Sequence, residues 1–126
     1  MKEVVTGEEL KKIMQEAINI LCDSVSSTLG PSGNNVLINT SDTSPYITND
    51  GYTIANALEV EDKKINTVIE IAKEASLKTN EEVGDGTTTT LVLLQSIFNE
   101  GLKEIENGKN PIILKNQHYT KILYLI

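Results

Sequence analysis

Apolar residues recur at helical spacing in three long segments, which predicts three amphipathic helices. The segments cover residues 7–28, 63–81 and 87–107. The middle segment places these apolar residues on one face: Ile65, Val68, Ile69, Ala72 and Ala75. The last segment is the most apolar, and so many apolar positions predict burial on more than one side.

Residues typical of helix ends flank these segments. Thr6 and Glu9 have the spacing of a capping box, and Gly30–Pro31 is expected to end the first helix. Gly108 is typical of a helix C-terminus, and Asn110–Pro111 has the pattern of a cap followed by the first residue of a further helix. The sequence therefore predicts an additional helix after residue 110.

Residues 30–51 are rich in Gly, Ser, Asn, Thr and Pro, which favours loops. Two short apolar runs at 35–38 and 46–48 predict a small hairpin, and residues 52–58 predict a short helix. Val4–Val5 could add a strand to this sheet or to the edge of another molecule. The expected fold is mainly α, with four or five helices and a small β hairpin.

Composition limits the function classes. The chain has 126 residues, which is one domain or less, and its net charge of −7 disfavours binding to nucleic acid. The single Cys22 excludes an internal disulfide framework, and the single His118 excludes a His-rich metal centre. The N-terminus lacks a signal-peptide pattern and the apolar runs are too short to span a membrane. We expect a soluble protein from a reducing compartment.

Two further features concern burial. Cys22 lies on the apolar stripe of the first helix, which favours a buried small hydrophobe over a reactive thiol. Residues 121–126 form an apolar run with no polar cap, which must be buried against something. Together with the apolar segment 87–107, this run suggests a piece of a larger domain or a subunit of an assembly.

The strongest candidate for chemistry is the segment from Gly84 to Thr90, at the start of a predicted helix. Helix N-termini attract phosphate, glycines allow a ligand close to the backbone, and Asp85 is a hard oxygen ligand suited to Mg²⁺. The alternative is that Asp85 only caps the helix, since Asp is a favoured cap. Two further segments, 28–35 and 47–51, fit an anion-binding turn and a carboxylate that orients water, but each alone favours an ordinary turn.

Taken together, these segments resemble the N-terminal part of a bacterial, GroEL-type (group I) chaperonin subunit. The matching phrases are TLGPSGNNVLI at 28–38, ITNDGYTIANALEVED at 47–62 and EEVGDGTTTTLVLL at 81–94. The resemblance implies that residues 1–126 are the first half of an equatorial domain, which binds ATP and makes ring contacts. It also implies a cytoplasmic protein and a function in ATP-driven protein folding within a ring.

The resemblance also implies a set of site residues. Asp85 would hold Mg²⁺, and Asp50 would lie near the terminal phosphate and position water as the catalytic residue. The remaining ATP-binding residues would be Thr28, Leu29, Gly30, Pro31, Gly86, Thr87, Thr88 and Thr89. K⁺ is a further candidate cofactor near Thr28. The N-terminal strand and the hairpin would contact neighbouring subunits.

The sequence departs from the family pattern at several positions, which lowers the activity expected of this chain. Ser32, Asn34 and Asn49 replace basic residues, which should weaken phosphate binding or slow turnover. The resemblance further implies that the apical domain that holds unfolded clients, the intermediate domain and the second equatorial half are absent from residues 1–126. We therefore expect weak or no ATPase and no client folding from this chain alone. The alternatives are a degenerate interaction module that pairs with full-length subunits, and a helical protein in which Asp50 and Asp85 are only caps.

Overall fold

The structure is a computed structural model that describes residues 2–117. Its elements are α1 (Gly7–Ser26), β1 (Val36–Ile38), β2 (Tyr46–Thr48), α2 (Gly51–Ala57), α3 (Lys63–Val83) and α4 (Thr87–Glu106). Residues 111–117 are also helical. The described residues thus contain five helices and one two-stranded hairpin, which confirms the mainly α fold. The chain forms two compact units, one up to Gln95 and one from Ser96 onward.

The core of the first unit forms where α1 packs against α3 and α2. Leu21, Val25 and Ile69 are completely buried there, which gives α1 and α3 their main apolar contact. Cys22 is also fully buried, and its Sγ donates to the Leu91 carbonyl oxygen at 2.9 Å. Burial, followed by the neighbouring charge of Asp23, raises the pKa of the Cys22 thiol to about 11. The prediction that Cys22 is a buried side chain on the apolar stripe of α1 is confirmed.

The buried face of α3 differs from the sequence prediction at several positions. Ala75 is exposed, whereas Lys73 and Ser76 are buried beside Ile69 and Ala72. The two polar side chains are tolerated because each has hydrogen-bond partners: Ser76 Oγ, for example, donates to the Lys73 carbonyl oxygen at 2.9 Å. A periodicity count over apolar residues alone could not detect this polar part of the face.

The predicted capping box at the start of α1 is wrong. Thr6 occupies the N-cap position in an extended conformation, but its side chain makes no capping hydrogen bond. Glu9 instead pairs with Lys64 Nζ at 3.0 Å, and Glu3 pairs with the same ammonium at 2.9 Å. These two carboxylates raise the pKa of Lys64 to about 12. Ion pairing therefore replaces reciprocal capping and connects Glu3, in the segment before α1, to α3.

The hairpin is antiparallel and close to its predicted position. Its register pairs Leu37 with Ile47, and these two side chains are about two-thirds exposed, at 67% and 68%. Val4–Val5 lies in an irregular segment, and within residues 2–117 the sheet has only the strands β1 and β2. The prediction that Val4–Val5 adds a strand to this sheet is therefore wrong, whereas pairing with another molecule stays a prediction.

The second unit begins within α4. Gly108 follows the helix with a positive φ of 92°, and Asn110 Oδ1 accepts from the Ile112 amide at 2.9 Å, so the predicted stop and cap are confirmed. In the part of this unit up to residue 117, the buried apolar side chains are Leu102 and Leu114, and Leu114 packs near Gly101. Leu93 and Ile97 on α4 are at least half exposed, so the predicted burial on more than one side is not seen. His118 and the apolar run 121–126 lie outside the described residues.

Candidate functional site

Three loops of the first unit surround one polar cavity of about 230 Å³. They are the loop after α1, the turn between β2 and α2, and the turn between α3 and α4. The lining residues are Thr28, Leu29, Gly30, Asn49, Asp50, Gly51, Tyr52, Asn80, Asp85, Gly86, Thr87, Thr88 and Thr89. The three sequence segments that carry candidate chemistry therefore meet at one place.

The loop after α1 is held by a compact set of backbone contacts. The Gly33 amide donates to the Gly30 carbonyl at 3.0 Å, and the Asn34 amide donates to the Ser27 carbonyl at 2.8 Å. A methyl group at Gly33 would lie only 2.3 Å from the Thr28 carbonyl oxygen, so this turn requires glycine. The Thr28 hydroxyl donates to the Val25 carbonyl at 2.7 Å, which fixes the side chain at the cavity wall.

The turn before α2 places a carboxylate in the cavity wall. Asp50 caps α2 by accepting from the Thr53 amide at 2.9 Å, and it also accepts from the Thr53 hydroxyl. The next residue, Gly51, is buried directly against α4, because a methyl group built on it would lie 1.9 Å from Thr88 Oγ1. Asp50 is therefore brought to the first turn of α4 by a contact that only glycine permits.

The turn before α4 brings Asp85 beside the N-terminus of that helix. Gly84 ends α3 with a positive φ of 79°, and its amide donates to the Asn80 carbonyl at 2.6 Å. Asp85 Oδ1 accepts from the neighbouring Gly86 amide at 2.6 Å. The first amides of an α-helix have no acceptor within the helix, so the α4 N-terminus presents donors and partial positive charge to the cavity.

Thr87, the first residue of α4, carries an unusual side chain. It is 96% buried, since its exposed fraction is 4%, yet its Oγ1 has no hydrogen-bond partner among the described residues. Burying a hydroxyl without a partner costs about 1–3 kcal/mol. Native proteins seldom carry such an atom without a reason, and a bound water or ion is one such reason.

The charges around the cavity indicate what it accepts. Among the described lining residues, Asp50 and Asp85 carry the only charges, and both are negative. Two carboxylates with several hydroxyls form a hard oxygen donor set that suits Mg²⁺, which commonly takes one or two carboxylates plus phosphate oxygens. The donor set therefore fits a magnesium–phosphate group better than a bare anion. Within residues 2–117, no group of three or more His, Cys, Asp or Glu side chains forms a metal cluster.

The structure brings together all but one of the site residues named from the sequence. Pro31 is the exception, because it follows Gly30 outside the cavity lining. Asn49, Gly51, Tyr52 and Asn80 line the cavity but are not in the predicted set. The first three lie within two residues of Asp50 in the chain, so adjacency alone signals them. Asn80 has no comparable sequence signal, because it lies inside α3, one turn before the end of the helix and outside the three motif segments.

The chain combines a mainly helical fold and a small hairpin with a polar cavity at a helix N-terminus, and a known protein family shares its sequence pattern. A sequence profile of the TCP-1/cpn60 chaperonin family matches residues 21–120, and the chain belongs to this family. Within residues 2–117, no helix is both long and apolar enough to cross a membrane.

Solved structures of a phage chaperonin resemble this fold. Crystal form II of the chaperonin gp146 from bacteriophage EL 2 (Pseudomonas aeruginosa), in the presence of ATP-BeFx, matches with a TM-score of 0.70 and 32% identity. Crystal form I matches with a TM-score of 0.69 and the same 32% identity. Each match covers 82% of this chain and 20% of the phage protein, so the chain spans about one fifth of that relative.

Proposed function

We propose that residues 1–126 form the first half of the equatorial domain of a group I, GroEL-type chaperonin, and that the cavity binds the phosphates of Mg·ATP. The observation that carries this proposal is the buried, unpartnered Thr87 hydroxyl at the N-terminus of α4. A phosphate oxygen at this position would accept from Thr87 Oγ1 and from the first-turn amides together. Asp50 and Asp85 line the same cavity, where a magnesium ion would offset their charge.

Each part of the site has a proposed role. Asp85 holds Mg²⁺, and Gly86 with Thr87–Thr89 surrounds the phosphates. Asp50 lies across the first turn of α4 and orients the attacking water, a role that carboxylates fill in phosphoryl transfer. The loop 28–31 borders the nucleotide on the other side, with K⁺ as a candidate ion near Thr28. Bound Mg²⁺ supplies charge neutralisation that the lining side chains lack, since Asn49 stands where the family usually has lysine.

The size of the cavity supports a phosphate site rather than a complete nucleotide site. Its volume of about 230 Å³ is below the roughly 300–1,000 Å³ of sites that enclose drug-sized ligands. We propose that the adenosine contacts, the apical and intermediate domains and client binding belong to parts of the family fold outside residues 1–126. The chain alone is then expected to show weak or no ATPase and no client folding. We further propose that the protein acts in the cytoplasm.

Thr87→Val tests the observation on which the proposal rests. Valine keeps the shape of threonine and removes the unpartnered hydroxyl, so the variant should be more stable without nucleotide by about 1–3 kcal/mol. It should also bind Mg·ATP more weakly, as measured by titration calorimetry. The matched control is Thr67→Val on an exposed part of α3, where neither the gain in stability nor the loss of Mg·ATP affinity is expected. Unchanged Mg·ATP affinity in Thr87→Val would remove the main support for the site.

A phosphate-release assay tests the expected weakness of turnover. The chain alone should release phosphate from Mg·ATP slowly or not at all, because phosphoryl transfer depends on a closed and fully assembled site. Clear steady-state turnover that Asp85→Ala abolishes would contradict this expectation. It would show that the residues of this half suffice for catalysis.

A second candidate function is subunit pairing without nucleotide chemistry. The observation that favours it is the cross-strand pair Leu37 and Ile47, which is about two-thirds exposed on the hairpin, together with Val4, which is 83% exposed. Exposed apolar residues on a short sheet with free edges suit contact with another chain. Co-purification with full-length chaperonin subunits, lost in Leu37→Lys with Ile47→Lys but kept in Asp85→Ala, would support pairing independent of nucleotide.

A further inference from the structure

Lys73 on α3 is buried to an extent that is unusual for lysine. Its exposed fraction is 3%, and lysine is almost never fully buried unless it is paired. Its Nζ has three acceptors: the Leu58 carbonyl at 2.5 Å, the Glu70 carboxylate at 2.8 Å and the Asn56 carbonyl at 3.4 Å. The ammonium group is thus held by one charge and two backbone carbonyls.

Those two carbonyls belong to the C-terminal end of α2. The last carbonyls of a helix have no partner within it, and a positive charge at this end is favourable. Lys73 therefore connects the end of α2 to the middle of α3. A second contact from α3 holds the following linker, where Asn66 Oδ1 accepts from the Val60 amide at 3.0 Å.

The opposite end of α2 carries the cavity residues. Asp50 is its N-cap and Gly51 lies against Thr88. Because α2 has seven residues, it is only about 10 Å long. A helix this short gains little stability from its own hydrogen bonds, so tertiary contacts determine where it lies. These contacts are the burial of Ile54 and Ala55 and the contacts at its two ends.

We propose that Lys73 is a positioning residue that fixes α2 and thereby holds Asp50 beside the first turn of α4. The role assigned to Asp50 rests on the proposed Mg·ATP site, whereas the fixing of α2 does not. None of the three residues that accept from Lys73 Nζ lines the cavity, so its effect on the site passes through the backbone of α2.

Hydrogen exchange without nucleotide tests the first step. The Thr53 amide donates to Asp50 and reports on the N-terminus of α2, whereas the Leu21 amide reports on the core of α1. In Lys73→Met, exchange at Thr53 should accelerate about tenfold or more relative to exchange at Leu21, as expected when hydrogen bonds to a charged group are lost. Lys73→Arg keeps the charge and donors and should restore most of the protection. The control is Lys64→Met, which removes a lysine of α3 whose ammonium pairs with Glu3 and Glu9 before and within α1.

Equal acceleration at Thr53 and Leu21 in Lys73→Met would overturn the proposal, because it would show a general loss of stability. Unchanged exchange at Thr53 would overturn it as well. If Lys73→Met does not fold, Lys73→Gln, which retains an amide donor, is judged by the same ratio of Thr53 to Leu21 exchange.

Nucleotide binding tests the second step. The rise in melting temperature caused by Mg·ATP should be reduced in Lys73→Met to about half of the wild-type rise or less, and should be kept in Lys64→Met. A full rise in Lys73→Met despite fast exchange at Thr53 would overturn the link from α2 to the cavity. If the wild type itself shows no rise, the proposed Mg·ATP site fails, and the exchange result still decides whether Lys73 fixes α2.

Discussion

Asp50 and Asp85 border the same cavity but make different contacts. Asp50 accepts from the amide of Thr53, the third residue of α2, and this contact is a helix cap. Asp85 accepts from the amide of its immediate neighbour Gly86. A cap at the third residue stabilises a helix, whereas a contact between adjacent residues does much less for helix formation. The contacts of Asp50 therefore include a helix cap, whereas the contact of Asp85 is not a helix cap.

Removing each carboxylate without nucleotide present checks this distinction. Asp50→Ala should lower the free energy of unfolding by about 1 kcal/mol, the usual cost of a lost N-cap. Asp85→Ala should change it by no more than about 0.5 kcal/mol, as at exposed positions without a special contact. Urea unfolding monitored by circular dichroism measures both. A loss in Asp85→Ala as large as that in Asp50→Ala would favour the reading in which both residues are only caps.

Cys22 predicts a dependence of stability on alkaline pH. Its thiol has a pKa of about 11 in the folded chain, against 9.0 for the unperturbed group. Above pH 9.0 the unfolded chain loses this proton while the folded chain retains it, so unfolding becomes more favourable as the pH rises to about 11. The contribution is complete below pH 9.0 and then decreases with a limiting slope of about 1.4 kcal/mol per pH unit.

Urea unfolding over this pH range compares the wild type with Cys22→Ala. The variant should lose less stability than the wild type on going from below pH 9.0 to about 11, since tyrosine and lysine titrations are common to both chains. Parallel pH profiles would show that the thiol titrates alike in the folded and unfolded chains.

At the residue scale, the sequence indicated most of the residues that line the cavity, but it did not indicate that Lys73 and Ser76 are buried. Residues such as Asp50, Asp85 and Thr87 lie in glycine-rich segments at element ends, where side-chain types indicate chemistry directly. Lys73 lies inside an amphipathic helix, and its three acceptors come from Glu70 and from backbone carbonyls of α2. Such contacts depend on how two helices pack, which a hydropathy pattern does not contain.

At the scale of elements, the contact between α2 and α4 sets the shape of the cavity. Gly51→Ala would place a methyl group 1.9 Å from Thr88 Oγ1, so we expect a loss of about 1–3 kcal/mol from overpacking. Thr88→Ala removes that oxygen and leaves Cβ as the nearest atom at 3.2 Å. The double variant should recover part of the loss, giving a coupling of about 0.5–3 kcal/mol in a double-mutant cycle measured by urea unfolding.

Gly101→Ala is the matched control for this prediction. An added methyl group there would meet Leu114 at an ordinary 3.8 Å, and alanine in a helix interior is favoured by about 0.5–1 kcal/mol. Additive effects of Gly51→Ala and Thr88→Ala would contradict the close contact between the two helices.

Helices were the elements most readily predicted from the sequence. Apolar periodicity located both ends of α1, α3 and α4 to within two residues. Packing against one side of a helix imposes that period on the sequence. The capping box of Thr6 and Glu9 failed because Glu9 has a stronger partner in Lys64, which is distant in the sequence. The strand proposed for Val4–Val5 failed within this chain because pairing needs a free sheet edge at the right place in space.

At the scale of the whole molecule, the chain is a chaperonin-family fold that covers 20% of a phage relative. The hairpin and the exposed residues Leu93 and Ile97 of α4 leave apolar surface uncovered within the described residues. The family resemblance could be recognised from three collinear motifs, since their order and spacing constrain one another. The sequence could not indicate the volume of the cavity, which is about 230 Å³.

Thermal melting of the 126-residue chain with and without Mg·ATP, beside Asp85→Ala, tests the proposed site most directly. A ligand that binds only the folded state stabilises it by about 2.7 kcal/mol at a concentration one hundred times its Kd. We expect Mg·ATP to raise the melting temperature of the wild type and to leave that of Asp85→Ala unchanged, with equal values for both chains without nucleotide. A cooperative wild-type transition with no shift, or equal shifts in both chains, would contradict a magnesium–phosphate site at Asp85.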